Sequence, residues 1–151
     1  MYEDMLHRII DRYEQAAFTV NRRLNVLMRE MMPDDLTIDQ FSIMRYLCAH
    51  GTCTSSELSD TFCVGKSSIT AIIGRLADKR LIARMPDDKD RRVIYLKLTE
   101  EGKSVVRLIE QKVHQLLSRL LTQFDPQEAE TFIGTYEKLA SVLSDERGMA
   151  K

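Results

Sequence analysis

Eight cationic side chains fall between Gly65 and Arg92: Lys66, Arg75, Lys79, Arg80, Arg84, Lys89, Arg91 and Arg92. Four carboxylates share the stretch, so it carries +4, while the remainder of a chain of net charge −1 carries −5. A cationic patch on an otherwise acidic chain is the electrostatic footprint of a polyanion partner, although a solvated helix and loop have the same composition. Lys66, Ser67 and Ser68 open a segment of helical pattern, where free backbone N–H groups and the helix dipole can hold phosphate. The chemistry indicated is recognition of nucleic acid. No nucleophile with a base, no phosphate-cradling glycine loop and no carboxylate pair is present in the sequence, which argues against an enzyme.

Two further constellations invite chemistry. Cys48, His50, Cys53 and Cys63 could in principle close a tetrahedral zinc site, but C-x-H-x2-C with a distant fourth ligand is not a usual zinc framework. No metal and no cofactor is expected. The same cysteines could sense oxidant only if one of them stood in a cationic, accessible setting that lowers its pKa. The three histidines, His7, His50 and His114, are scattered, with no pair at metal-ligand spacing.

The elements that must position the cationic stretch can be read from periodicity. In GKSSITAIIGRLADK, Ile69, Ile72, Ile73 and Leu76 form one helical stripe committed to a core. Ser67, Ala71, Gly74 and Asp78 point the other way, flanked by Ser68, Thr70 and Arg75. LIARM, the turn-forming PDDKDRR and VIYLKL follow, two β-capable runs joined as a hairpin with basic residues near its tip. Upstream, Thr37 with Gln40 and Thr54 with Glu57 read as capping boxes. The first opens a helix through Phe41, Ile43, Met44 and Leu47; the second opens a short one containing Leu58 and Phe62. Cys63, Val64 and Gly65 then make a tight connection into the Gly65–Lys79 helix. Two helices joined by a short glycine-containing turn, with a hairpin after them, spell a winged helix-turn-helix.

Long amphipathic helices flank this core. Apolar positions from Leu6 to Met31 step by three and four until Pro33, and nearly thirty residues span about 40 Å. Thr99 caps a second long helix with a stripe of Val105, Ile109, Val113, Leu116, Leu117, Leu120, Leu121 and Phe124. Asp125, Pro126 and Glu128 open a last one, which is expected to fray beyond Ser144. The predicted fold is mainly α with a small β-hairpin wing. A winged helix-turn-helix domain is placed at 36–98, and a discontinuous dimerisation region at 1–35 and 99–147. The terminal helices carry more apolar surface than so small a core can cover. A homodimer follows, and its two-fold axis would set two recognition helices about 34 Å apart, one turn of duplex.

The 151 residues suit one domain with helical additions. An odd cysteine count speaks for a reducing compartment. No apolar run approaches the roughly 18 residues that a membrane span needs, and MYEDMLHRIIDRYE lacks the apolar core of a signal peptide. The expected location is the cytoplasm, with no membrane partner.

The wing sequence DDKDRRVIYLKLTEEG, with Asp90, Arg92, Leu98, Thr99 and Gly102 in register, and the preceding SSITAIIGRLADKRLIAR resemble the MarR (multiple antibiotic resistance regulator) family of bacterial transcription factors. The resemblance implies a homodimer on a pseudo-palindromic double-stranded DNA operator, usually a repressor, released by a small molecule or an oxidant. It implies that the Gly65–Lys79 helix enters the major groove and that Arg92 reaches into the minor groove. Asp90 would orient the wing, and Thr99 with Gly102 would fix its junction to the next helix. The expected DNA-binding set is Lys66, Ser67, Ser68, Thr70, Ala71, Arg75, Arg84, Asp90, Arg91 and Arg92. By the same resemblance Tyr13, Arg22, Arg23, Arg45 and His114 would line a cleft for a small aromatic or phenolic inducer. Three positions depart from the family pattern. Members often carry arginine where Ala71 stands, an acidic residue at Gly74, and glycine at Arg80, so a glycine-type cap is not expected at Arg80, which would meet a phosphate instead. The alternatives are a dimeric winged-helix module that binds protein without reading DNA, or a regulator controlled by cysteine oxidation.

Overall fold

The computed structural model describes the backbone of residues 1–149 and the side chains of residues 1–145. In chain order the elements are α1 (Tyr2–Met31), α2 (Ile38–His50), β1 (Cys53–Thr54), α3 (Ser55–Phe62), α4 (Lys66–Asp78), β2 (Ile82–Pro86), β3 (Ile94–Leu98), α5 (Glu100–Leu121) and α6 (Pro126–Met149). Two compact units divide the chain, one through Lys112 and one from Val113 onward.

In the first unit the core is built where the apolar stripes of α2, α3 and α4 meet the small sheet. Phe41, Ile43, Met44 and Leu47 from α2, Leu58 from α3, and Ile69, Ile73 and Leu76 from α4 are buried, with Leu81, Ile82, Leu96 and Leu98 of the wing base. Both capping boxes form. Gln40 and Glu57 donate backbone N–H groups to the Thr37 and Thr54 hydroxyls at 3.1 and 3.2 Å, and the reciprocal bonds are made at 3.2 and 3.3 Å. Each satisfies two otherwise orphaned helix-terminal donors.

The sheet is antiparallel in the order β1-β3-β2. β2 and β3 are the expected hairpin, paired from Ile82↔Leu98 to Pro86↔Ile94. The third strand is an addition to the sequence reading: Cys53 pairs with Leu96 and Thr54 with Tyr95. Gly51, at φ +77°, turns the chain out of α2 so that this two-residue strand can reach β3.

α1 has no buried residue, and Leu6, Ile9, Ile10, Tyr13 and Val20 stand exposed along it. Along α5 the buried positions of the first unit are Gly102, Val106 and Ile109, so the stripe runs through Val106 where periodicity alone indicated Val105. The reason is Gly102. A Cβ there would stand 2.3 Å from the Leu81 carbonyl oxygen, so the helix packs with its Gly102 face against the wing base, and Val106, one turn on, inherits that face.

In the second unit Val113 and Leu116 are buried, while Leu117, Leu120, Leu121, Phe124, Phe132, Ile133 and Tyr136 are exposed. Asp125 caps α6, accepting from the Glu128 N–H at 2.9 Å. That helix runs on to Met149, past Ser144. No helix among the described residues is long and apolar enough to cross a membrane.

Candidate nucleic-acid interface

Two residues outside the glycines adopt a left-handed backbone among the described residues, and they bracket α4: Cys63 at φ +56° and Arg80 at φ +62°. At the first, the Val64 N–H donates to the Ser59 carbonyl at 3.2 Å, and the Ser59 hydroxyl donates back to the Val64 carbonyl at 2.6 Å. Ser59 is one of two buried polar residues among the described residues, so the α3–α4 turn is closed on its inner side by a partly buried hydrogen bond. At the second, Arg80 and Leu81 donate to the Ala77 and Leu76 carbonyls at 2.9 and 3.0 Å. This is the paired bonding of a Schellman cap, with Leu81 packed beneath it. Arg80 therefore occupies the glycine-type cap position instead of abolishing it, and its side chain is exposed.

The outer face of α4 is open. Gly65 supplies no side-chain cap, and no acidic residue sits in the first turn, leaving the N–H groups at Lys66, Ser67 and Ser68 free to meet an anion. Lys66, Ser67, Ser68, Thr70, Ala71 and Arg75 are all exposed. The Thr70 hydroxyl is turned back to the Lys66 carbonyl at 2.8 Å, which leaves its lone pairs outward. With only a methyl at Ala71 and nothing at Gly74, long side chains on this face are confined to its ends.

The wing supplies them. Arg84 is exposed on β2, and Arg91 and Arg92 are exposed at the tip. Asp90 organises that tip. Its carboxylate accepts from the Arg92 backbone N–H at 3.0 Å and from the Arg92 guanidinium at 3.2 and 3.4 Å. The Arg92 guanidinium first, and then its backbone N–H, hold the Asp90 carboxyl below its ordinary value. Val93 closes the turn by donating to the Asp90 carbonyl at 3.0 Å. At the wing base, the Thr99 hydroxyl donates to the Arg80 carbonyl at 2.8 Å and accepts from the Gly102 N–H at 3.0 Å. Thr99 reads as a cap in the sequence, where nothing signals its bond back to Arg80.

The five residues read as inducer contacts are all exposed. Arg22 lies over the Phe18 ring, 4.6 Å from its centroid, and Arg45 is paired with Glu110 at 3.5 Å. Tyr13 and Arg23 lie on α1, and His114 belongs to the second unit. A cavity of about 500 Å³ in the first unit is lined instead by Asn25, Arg29, Met32 and the residues leading into α2.

Cys53 is buried, and Cys48 and Cys63 are exposed. Burial pushes the Cys53 thiol up, and the charge and hydrogen bond of Glu57 push it further, the reverse of what a thiolate sensor needs. Among the described residues no three His, Cys, Asp or Glu side chains gather as metal ligands.

The MarR family model matches residues 36–94. An uncharacterized HTH-type transcriptional regulator of Bacillus subtilis, YfiV, is 30% identical over 115 residues, covering 76% of this chain and 69% of that protein. The multiple antibiotic resistance protein MarR of Escherichia coli is 30% identical over 108 residues, 68% of this chain and 75% of its own. A crystal structure of a mutant MarR from E. coli complexed with operator DNA superposes with a TM-score of 0.75 at 25% identity, covering 86% of this chain and 94% of that one. The winged helix-turn-helix, its flanking helices and these likenesses agree: the chain belongs to the MarR family of transcription regulators, a family of regulators and not of enzymes.

Proposed function

We propose that this protein is a homodimeric, sequence-specific DNA-binding regulator that represses from a pseudo-palindromic operator and is released by a small aromatic or phenolic ligand. The observation that carries the reading is the pairing of an uncapped, small-faced α4 with a wing whose Arg92 is held outward by Asp90. Residues 36–98 are the DNA-binding part. Residues 1–35 and 99–147 are the dimerisation region, the side chains of 146 and 147 lying outside the described residues. Lys66, Ser67 and Ser68 hold phosphate at the start of α4, and Ala71 offers its methyl to a thymine methyl. Arg75, Arg84 and Arg91 meet the backbone, and Arg92 enters a narrow minor groove, where the negative potential is enhanced. With so few long side chains on α4, groove shape carries much of the specificity.

Support for the dimer comes from the apolar residues that a single chain leaves exposed along α1 and α6. Support for operator binding comes from the MarR–operator complex. The inducer cleft, with Tyr13, Arg22, Arg23, Arg45 and His114, rests on the family likeness, and Arg45 must leave Glu110 to serve it. Selecting bound duplexes from random DNA, followed by release with small aromatic acids, tests the reading. A protein that dimerises but retains no duplex is a protein-interaction module instead.

A further inference from the structure

Lys79 belongs by sequence to the cationic stretch, yet its ammonium is turned inward. Its Nζ donates to the side-chain oxygen of Gln40 at 3.2 Å and to the Asp35 carbonyl. Gln40 is 3% exposed, and the same oxygen accepts the Thr37 N–H in the capping box of α2. Lys79 is half-buried. Two of the three donors of the ammonium are thus spent within the protein, at the point where α1 passes into α2. Lys66, at the other end of α4, is exposed.

We infer that Lys79 is a positioning residue, which ties the C-terminal end of α4 to the α1–α2 connection and makes no contact with DNA phosphate. Arg80 and Leu81, the next two residues, carry the bond to Thr99 at the start of α5. The end of the recognition helix is therefore anchored on one side to the exit of α1 and on the other to the entry of α5. A displacement at the end of α1 moves Asp35, and through Lys79 it reaches α4. This inference rests on the DNA-binding reading for its consequence, but the tie itself does not.

The test compares wild type with Lys79→Met, Lys79→Arg and Lys66→Met in two measurements. The first is amide hydrogen exchange without DNA. Lys79→Met should speed exchange at Thr37 and Gln40 by about fivefold or more through local opening, and Lys79→Arg, which keeps charge and donors, should restore it. The second is affinity for a selected duplex over a salt series. Lys79→Met should weaken binding about tenfold, the scale of one charge-assisted hydrogen bond, with the salt slope unchanged. Lys66→Met should lower the slope by about 0.9, one phosphate contact. A slope lowered by that amount in Lys79→Met, or exchange at Thr37 and Gln40 equal to wild type, overturns the inference. If wild type binds no duplex, the DNA-binding reading falls, and the exchange result alone decides the tie.

Discussion

The Thr99 hydroxyl donates to the carbonyl of Arg80 at 2.8 Å while Arg80 holds a left-handed backbone at φ +62°. The cap residue after α4 is thereby joined to the residue that opens α5. Left-handed geometry costs a residue with a Cβ roughly 1 kcal/mol relative to glycine. The bond to Thr99, the Schellman bonds and the burial of Leu81 together hold Arg80 there. Arg80→Gly should raise unfolding stability by about 0.5–1 kcal/mol, because it relieves that cost more than it loosens the unfolded chain. Urea denaturation measures it; a destabilised variant would show that the Arg80 side chain holds the cap.

Gly102 is required by contact, not by φ. A Cβ there would meet the Leu81 carbonyl oxygen at 2.3 Å and the Leu98 side chain at 3.1 Å. That carbonyl also accepts the Thr99 N–H at 3.0 Å, so it cannot retreat without losing a bond. Gly102→Ala should cost about 1–3 kcal/mol, the range for overpacking a tight site, even though alanine is the better helix former. Thermal unfolding of the variant decides it, and a melting point at or above wild type would rule out the close packing.

Much of this was legible from residue types. Thr37 with Gln40 and Thr54 with Glu57 form the caps their spacing announces, and the α4 stripe and wing strands fall where periodicity puts them. The losses have local causes. β1 is two residues long and depends on Leu96 and Tyr95, far away in sequence. Val106 replaces Val105 because Gly102, not apolar spacing, sets the phase of α5. Lys79 reads as surface charge until Gln40 and Asp35 are brought to it by the fold. Arg45 likewise gives no hint of Glu110. Contacts between distant polar residues leave no period in a sequence, and these determine how the interface is held.

The wing tip should be insensitive to pH across the neutral range. Asp90 titrates below its ordinary 3.8 because the Arg92 side chain and then its N–H favour the carboxylate. A lowered folded pKa means that the tie is present above 3.8 and is lost only as pH falls through the lower folded value. The carboxyl carbon resonance of Asp90 should therefore titrate below 3.8 in wild type and move back toward it in Arg92→Ala. A wild-type midpoint at or above 3.8 would contradict the geometry.

The three thiols should divide into two classes. Cys48 and Cys63 are exposed, whereas Cys53 is buried beside Glu57 and its thiolate is disfavoured. A disulfide reagent at neutral pH should label the first two rapidly and Cys53 only after denaturant is added. Labelling of all three at one rate would return Cys53 to consideration as an oxidant sensor.

If α4 and the wing read duplex DNA, selection of bound sequences from a random duplex pool should enrich two inverted half-sites with centres about 10 base pairs apart, and the enrichment should be lost on Arg92→Ala while the protein stays dimeric. A pool that remains random after repeated rounds, or one enriched equally well by Arg92→Ala, would contradict that reading.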